Sequence, residues 1–156
     1  MRAYRPKKFS PKIRLRVAGL YIENGNILLV KHRKYGREYY LLPGGGQEAG
    51  ETAKDSLRRE WREELGLDIG VGDLLFTGES VPPVGTPKSQ VFQLAFSVEK
   101  IYGEIQTLPD GALIGWEWIP IDQFEKISFF PACKEQVLAV IRGERPVLYK
   151  RYDWIR

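Results

Sequence analysis

The pattern of apolar and polar residues predicts a chain of short strands with two helices among them. Near the N-terminus, Ile13, Leu15 and Val17 are separated by arginines, which is the period of a strand with one face in solvent. Further apolar runs are bounded by glycine, proline or asparagine and are rich in β-branched and aromatic residues, as strands are. The strands predicted in this way cover residues 13–17, 27–30, 39–42, 71–77, 91–99 and 116–119.

Two segments instead have the 3.6-residue period of an amphipathic helix. Residues 52–65 repeat an apolar residue at every fourth position and end before Gly66, a common helix terminator. Residues 132–142 form the second such segment. Since two helices can cover opposite faces of one mixed sheet, the predicted fold class is α/β. The predicted connections include a basic loop at 32–37, a glycine-rich loop at 44–46 and a proline-rich loop at 81–87.

Composition and charge are those of one globular domain with a basic N-terminal arm. The chain has 156 residues, and no apolar run approaches the roughly 18 residues of a membrane span. Residues 1–16 contain seven of the 24 lysines and arginines and no acidic residue. We assign residues 1–12 to the arm and 13–156 to a single domain. The arm is either a solvated terminus or an electropositive lid that attracts polyphosphate or nucleic acid.

Cysteine usage and the first residues indicate the compartment. Cys133 is the only cysteine, so no intrachain disulfide can form. The first residues also lack the apolar stretch of a secretory signal. Both features are typical of a cytoplasmic protein.

Three carboxylates are grouped on the first predicted helix. Glu60 lies three and four residues before Glu63 and Glu64, which are the spacings that bring helical side chains together. Like charges at these spacings destabilise a helix by roughly a few tenths of a kcal/mol per pair. A cation among them would remove this repulsion, and carboxylate oxygens are the ligands that Mg²⁺ and Mn²⁺ prefer.

A glycine-rich segment precedes this helix. The glycines at 44–46 lack a Cβ atom, so the backbone there can approach a bound group closely, and a helix N-terminus favours anions. Glu51 lies near the helix start, where the helix dipole favours a carboxylate, and Arg59 reaches Glu63 at the i+4 spacing. Acidic helices and glycine turns are common separately, and their fixed spacing is what indicates a site.

This spacing resembles the Nudix box, Gly-x5-Glu-x7-Arg-Glu-U-x-Glu-Glu-x-Gly-U, in which U is a bulky aliphatic residue. Trp61 is the one departure, because the family usually has Leu, Ile or Val there. Since tryptophan is still apolar, we expect adjusted packing with activity retained. The resemblance extends over roughly residues 13–142. The matching positions are Gly45, Glu51, Arg59, Glu60, Glu63, Glu64, Gly66 and Leu67.

The resemblance implies an α/β/α sandwich with a mixed β-sheet between the helices. It also implies metal-dependent hydrolysis of a nucleoside diphosphate linked to another group, with Mg²⁺ or Mn²⁺ as the cofactor. Glu60 or Glu63 would accept the proton of the attacking water, with Asp110 as a further candidate. Arg59 would orient the glutamates, and Glu51 would support the site. The implied metal ligands are the Gly44 carbonyl, Glu60, Glu63 and Glu64.

The first expectation for the substrate is ADP-ribose or a similar nucleotide sugar. Family members that hydrolyse ADP-ribose often carry a proline about fifteen residues past the box, and Pro82 has this spacing from Leu67. Arg33 and Arg37 are candidates for binding the outer phosphate. The predicted substrate contacts are completed by Gly45, Glu51 and Asp110.

Other readings of the substrate and partners stay open. One is cleavage of nucleoside triphosphates, ordinary or oxidised, in nucleotide-pool cleaning. Another is a non-catalytic nucleotide-binding module, and the basic arm adds an RNA end as a third. The expected partner is a small nucleotide. We expect no binding to a membrane, and binding to nucleic acid only in the reading with an RNA end. Similarity to the family also suggests a homodimer, with which the aromatic residues at 149–154 are compatible.

Overall fold

A computed structural model describes residues 12–106 and 109–154, which form two β-sheets and two α-helices. A short 3₁₀ helix precedes the second α-helix at Phe124–Lys126. The strands and helices are β1 (Ile13–Leu20), β2 (Ile22–Glu23), β3 (Asn26–Lys34), β4 (Arg37–Leu41), β5 (Gly44–Gly46), α1 (Ala53–Leu65), β6 (Asp68–Ser80), β7 (Gln90–Tyr102), β8 (Leu113–Pro120), α2 (Lys134–Ile141) and β9 (Tyr149–Tyr152). Every predicted strand and helix is present, with bounds shifted by a few residues.

The larger sheet is mixed, as predicted, and has five strands in the order β5-β1-β7-β6-β9. Strands β1 and β7 are parallel, as are β6 and β9, and the other pairs are antiparallel. The remaining strands form a second, antiparallel sheet in which β3 pairs with β2 and β4 on one edge and with β8 on the other. Periodicity identifies strands without identifying their partners, so the sequence did not predict this division.

The two helices cover opposite faces of the strands. Val17 of β1 packs in the same buried cluster as Leu57 and Trp61 of α1. The next residue, Ala18, packs in a separate cluster with Val137 of α2. Because successive side chains of a strand point to opposite faces, the strands lie between α1 and α2. The expected α/β/α sandwich is therefore confirmed.

Local signals fix both ends of α1, and the C-terminal end is the one that the sequence predicts. The side chain of Thr52 accepts a hydrogen bond from the backbone N–H of Asp55 at 3.1 Å, which caps the N-terminus. Gly66 has φ of 66° and ends the helix, since its N–H bonds to carbonyls of the last turn. The helix begins one residue later than predicted.

Two segments that we expected to be loops are extended. The predicted basic loop at 32–37 is a hairpin, in which β3 continues to Lys34 and β4 begins at Arg37. Only Tyr35 and Gly36 form its turn, with φ of 51° and 73°. The glycines at 44–46 form β5, which pairs with β1. Both expectations relied on local composition, and strand pairing overrides it, between β3 and β4 at the hairpin and between β5 and β1 at the glycines.

The two faces of β1 differ from the prediction at its N-terminal end. Ile13 and Leu15 are 65% and 42% exposed, because the buried part of this face begins only at Val17. Arg16 is only partly exposed, since its guanidinium donates to Leu42 O at 2.8 Å and to Gln93 Oε1 at 2.7 Å. The arginines of β1 predicted a face exposed to solvent. Part of that face is instead in the interior, where Arg16 forms hydrogen bonds.

The C-terminal segment packs on the body of the protein. Strand β9 pairs with β6, and the buried Tyr152 donates from its hydroxyl to Gln136 Oε1 at 2.6 Å.

Most of the predicted basic arm, residues 1–11, lies outside the described residues. None of the helices that the structure describes is long and apolar enough to cross a membrane.

Candidate active site

Strand β5 and helix α1 meet so closely that a side chain at Gly45 would displace the Glu60 carboxylate. A Cβ atom on Gly45 would lie 2.3 Å from Cδ of Glu60, so the carboxylate occupies the space of a side chain. A Cβ atom on Gly44 would lie 2.0 Å from the carbonyl oxygen of Val17 in β1. Gly45 therefore lets the acidic face of α1 approach β5, and Gly44 lets β5 lie close to β1.

One guanidinium organises the acidic residues. Nε and Nη2 of Arg59 donate to the two carboxylate oxygens of Glu51 at 2.9 and 3.0 Å, a bidentate pair. Nη1 donates to Glu60 at 2.9 Å and, more weakly, to Glu63 at 3.3 Å. Nη2 also donates to the carbonyl of Gly46 at 2.9 Å. Arg59 thus joins three glutamates to β5, which exceeds the single pair with Glu63 that the sequence predicted.

Hydrogen bonds stabilise the ionised form of Glu51. Its Oε1 also accepts from the Ser56 hydroxyl at 2.9 Å and from the Glu48 backbone N–H at 3.2 Å. The hydrogen bonds from Arg59, followed by that from Ser56, lower the pKa of Glu51 to about 2. A carboxylate with these partners is suited to holding Arg59 in place.

Glu60 and Glu64 are in the opposite electrostatic situation. Burial raises the pKa of Glu64 to about 7, even though it accepts a hydrogen bond from the Gly44 N–H at 2.9 Å. Burial also raises the pKa of Glu60, and the nearby Glu63 adds to this effect. The guanidiniums of Arg16 and Arg59 oppose these shifts only in part. Desolvation therefore disfavours the charged forms of the two carboxylates, and a further positive charge would stabilise them.

The donor set matches a hard divalent cation in chemical type. The carboxylates of Glu60, Glu63 and Glu64 and the backbone carbonyl of Gly44 supply only oxygen, which suits Mg²⁺ and Mn²⁺. Burial disfavours the charged forms of Glu60 and Glu64, and a cation would reverse that effect. Within residues 12–106 and 109–154, no three acidic, histidine or cysteine side chains already converge on one point. The fit therefore rests on donor chemistry and on the desolvation of Glu60 and Glu64.

The predicted phosphate contacts lie on the second sheet. The guanidinium of Arg33 pairs with Glu38 across the β3–β4 hairpin, and Arg37 is exposed on β4. The backbone N–H of Arg33 donates to the carbonyl of Ala112 at 2.8 Å, and Asp110 lies at the turn that leads into β8. Arg33 and Asp110 are thus on neighbouring segments. Their described contacts do not join them to the glutamates of α1.

Pro82 lines a cleft at one end of the five-stranded sheet. The cleft has a volume of about 500 Å³ and lies between the loop after β6 and the end of the chain. Strands β1, β7 and β6 separate it from β5, so Pro82 is not beside the glutamates. The cleft is lined by Val81, Pro82, Pro83, Val84, Arg151, Tyr152, Asp153 and Trp154.

Sequence reasoning missed two side chains that support the site. Ser56 is fully buried, and its hydroxyl donates a hydrogen bond to Glu51. It is polar and does not belong to the apolar stripe of α1, so the sequence pattern did not single it out. Arg16 is close enough to Glu64 and Glu60 to offset part of the rise in the pKa of both. Its alternation with apolar residues indicated a solvent-facing arginine. Only the pairing of β1 with β7, which brings Gln93 alongside, identifies it as interior.

Comparisons with known sequences agree with this arrangement. The NUDIX domain model matches residues 12–140. The chain is 31% identical to an ADP-ribose pyrophosphatase from Methanocaldococcus jannaschii, over 72% of this chain and 65% of that protein. It is 34% identical to a Mycobacterium tuberculosis protein provisionally named 8-oxo-dGTP diphosphatase 2, over 58% of this chain and 60% of that protein. The chain thus spans less than two-thirds of the length of these relatives.

Solved structures share the fold. A MutT protein from Bacillus halodurans superposes with a TM-score of 0.71 at 23% identity, over 88% of each chain. An ADP-ribose pyrophosphatase from Streptococcus suis superposes with a TM-score of 0.59 at 18% identity, over 88% of this chain and 96% of that one. The family match covers most of the described domain and includes the glycine strand, Arg59 and the glutamates of α1. The chain therefore belongs to the NUDIX domain family.

Proposed function

We propose that the protein hydrolyses the pyrophosphate bond of a nucleoside diphosphate derivative with the help of a divalent cation. The observation that carries this proposal is the placement of Glu60 and Glu64, two partly buried carboxylates whose pKa values are raised by burial, against the backbone of Gly45 and Gly44. Both carboxylates are only partly exposed, and a bound cation would favour their charged forms. A cation beside exposed glycine backbone is an arrangement suited to phosphate chemistry.

The metal would be held by the Gly44 carbonyl, Glu60, Glu63 and Glu64. When bound, Mg²⁺ or Mn²⁺ offsets the charge of the phosphates and lowers the pKa of the attacking water. Gly45 has no side chain, so the Glu60 carboxylate can lie against β5. Arg59 acts as a positioning residue, because its donors are already engaged by Glu51, Glu60, Glu63 and Gly46.

Between the two candidate bases, the geometry favours Glu63. Its side chain is 58% exposed, whereas that of Glu60 is 15% exposed and accepts a shorter bond from Arg59. Glu63 takes one proton from water as the water oxygen bonds to phosphorus. The bridging P–O bond then breaks, and the leaving phosphate departs with the electron pair. Asp110 stays an alternative base, since it lies on a loop beside the β3–β4 hairpin.

We propose ADP-ribose or a similar nucleotide sugar as the substrate, with AMP and a sugar phosphate as products. The relative from M. jannaschii is named for this activity, and Pro82 lines a cleft large enough for part of a nucleotide. The relative from M. tuberculosis favours a nucleoside triphosphate as the second candidate. Arg33 and Arg37 are proposed to bind the outer phosphate, which requires Arg33 to leave Glu38. Homodimerisation stays a prediction.

The test is turnover of ADP-ribose and of 8-oxo-dGTP with Mg²⁺, followed by chromatography of the products. We expect AMP and ribose 5-phosphate from ADP-ribose, and a loss of roughly a hundredfold or more in kcat for Glu64→Gln. Glu125→Gln, an exposed glutamate on the 3₁₀ helix, is the matched control and should retain full turnover. Equal turnover by Glu64→Gln would reject the metal site. Cleavage of 8-oxo-dGTP but not of ADP-ribose would favour a nucleoside triphosphate as the substrate.

A further inference from the structure

A partly exposed aromatic surface lies on the same face of the five-stranded sheet as α1. Leu15 shares this face with Val17, which packs against α1, yet Leu15 is 42% exposed. Phe92 is the register partner of Leu15 in β7 and is half-buried. The ring of Tyr149, itself 51% exposed, stacks on Phe92 with centroids 6.5 Å apart and planes at 27°. We call Leu15, Phe92 and Tyr149 the aromatic shelf.

A carboxylate borders the aromatic shelf. Glu79 is the register partner of Phe92 in β6, and its Oε1 accepts a hydrogen bond from the Tyr149 hydroxyl at 2.6 Å. Its Oε2 accepts a hydrogen bond from Gln90 Nε2 at 3.1 Å. Each carboxylate oxygen has two lone pairs, so Glu79 can accept further hydrogen bonds. The aromatic shelf therefore combines a stacking surface with an acceptor at its border.

The aromatic shelf lies at a nucleoside's distance from the proposed metal ligands. Glu60 lies over Gly45, which is the register partner of Val17. Phe92 is two strands across the sheet from Gly45 and two residues along it. With ordinary strand spacing and rise, the two Cα atoms are separated by about 12 Å. The ribose of a nucleotide bridges a separation of this kind between its phosphates and its base.

We propose that the aromatic shelf binds the base of the substrate, an aminopurine whose exocyclic amino group donates to Glu79. This proposal rests on the proposed function and specifies which end of the substrate reaches the edge of the sheet. A base stacks on aromatic rings whatever its identity, so Phe92 and Tyr149 supply affinity. Glu79 supplies selectivity, because a base without a donor would desolvate part of the carboxylate without adding a hydrogen bond to those from Tyr149 and Gln90.

The binding test uses AMP with the full chain in EDTA, so that neither metal nor turnover contributes. We expect Tyr149→Ala to weaken AMP binding in calorimetry by roughly fivefold to a hundredfold, the range that stacking of one base supplies. Purine riboside 5′-monophosphate lacks the amino group and should bind more weakly than AMP. That preference should disappear in Glu79→Met, which keeps the length of the side chain without an acceptor.

A kinetic test separates base binding from a merely structural effect. With ADP-ribose and Mg²⁺, Tyr149→Ala should raise KM and leave kcat unchanged, because the aromatic shelf does not touch the reacting phosphorus. Tyr102→Ala is the matched control, since Tyr102 is 52% exposed at the other end of β7. It should leave both AMP affinity and KM unchanged.

The outcomes distinguish this proposal from the proposed function. If the wild type cleaves ADP-ribose but Tyr149→Ala binds AMP equally well, the aromatic shelf is rejected and the hydrolase stands. If AMP binding depends on Tyr149 but no nucleotide is cleaved with Mg²⁺, the hydrolase is rejected and the base site stands. Absence of AMP binding to the wild type overturns the aromatic shelf. So does a change of sedimentation mass in Tyr149→Ala without a change of AMP affinity, which would identify a contact between subunits.

Discussion

The indole Nε1 of Trp61 donates a hydrogen bond to the carbonyl oxygen of Pro43 at 3.1 Å. The backbone N–H of Gly19 donates to the same oxygen at 2.9 Å. The Pro43–Gly44 peptide is planar, and its N–H at Gly44 donates to Glu64 at 2.9 Å. Trp61 thus orients the peptide that binds a proposed metal ligand. Gly19 leaves room for the indole, because a Cβ there would lie 2.9 Å from Nε1.

Replacing Trp61 by Phe should destabilise the protein while retaining its fold. The change removes the donor to Pro43 and leaves a small cavity, so we expect the free energy of unfolding to fall by about 1–3 kcal/mol. Chemical denaturation measures this difference. Trp118→Phe is the control, since Trp118 is only partly buried and packs against Tyr21 at 6.0 Å between centroids. Equal losses in the two variants would show that the hydrogen bond to Pro43 contributes nothing.

Substituting Gly45 by Ala should impair the site more than the fold. The added methyl group would lie 2.3 Å from Cδ of Glu60, so the carboxylate must move away from β5. We expect turnover to fall by roughly tenfold or more, because ligand geometry at a metal site tolerates little displacement. Gly115→Ala is the control, since nothing lies within 4 Å of a Cβ there. Turnover that is unchanged in Gly45→Ala would contradict the proposed role of the glycine strand.

Local sequence predicts the parts of this site that depend on helical spacing. Glu60, Glu63 and Glu64 lie within one turn of α1, and Gly66 ends that helix as expected. Arg59 reaches Glu63 at i+4 as predicted, although the hydrogen bonds of 3.3–3.4 Å are its weakest in the site. These contacts involve residues close in sequence, so geometry follows from the helix itself.

The contacts that sequence could not predict join distant segments. Arg16 and Leu42 are 26 residues apart, and their hydrogen bond depends on where β1 lies relative to β4. Tyr149 and Glu79 are 70 residues apart and meet only because β9 pairs with β6. Strand partners follow from the packing of the whole sheet, which periodicity does not encode. The aromatic shelf is consequently a feature of the structure alone.

The pair of Glu51 and Arg59 should determine acid stability. Hydrogen bonds lower the pKa of Glu51 from an ordinary value near 4.5 to about 2. A lowered pKa means that the stabilisation is complete above pH 4.5 and is lost as the pH falls toward 2. Glu51→Gln should lower the melting temperature near neutral pH and flatten its decline between pH 4.5 and 2. A melting profile that stays parallel to that of the wild type would contradict this linkage, and Glu125→Gln should be indistinguishable from the wild type.

Glu64 should give the metal-free protein the opposite dependence on pH. Burial raises its pKa from about 4.5 to about 7, so the folded state holds the proton more tightly than the unfolded chain. Its contribution is therefore most favourable below pH 4.5 and is lost as the pH rises through 7. In the proposed site, Mg²⁺ would bind the deprotonated carboxylate and supply a compensating positive charge.

The increase in melting temperature on adding Mg²⁺ should consequently grow between pH 5 and 8, roughly the interval over which Glu64 loses its proton. EDTA should abolish the increase, and Glu64→Gln should show little of it at any pH, because the amide neither titrates nor carries charge. Gly115→Ala supplies the control with all four glutamates intact. If the Mg²⁺-dependent increase were the same at pH 5 and pH 8, or survived in Glu64→Gln, the cation would be bound elsewhere. The carboxylates beside β5 would then need another explanation for their burial.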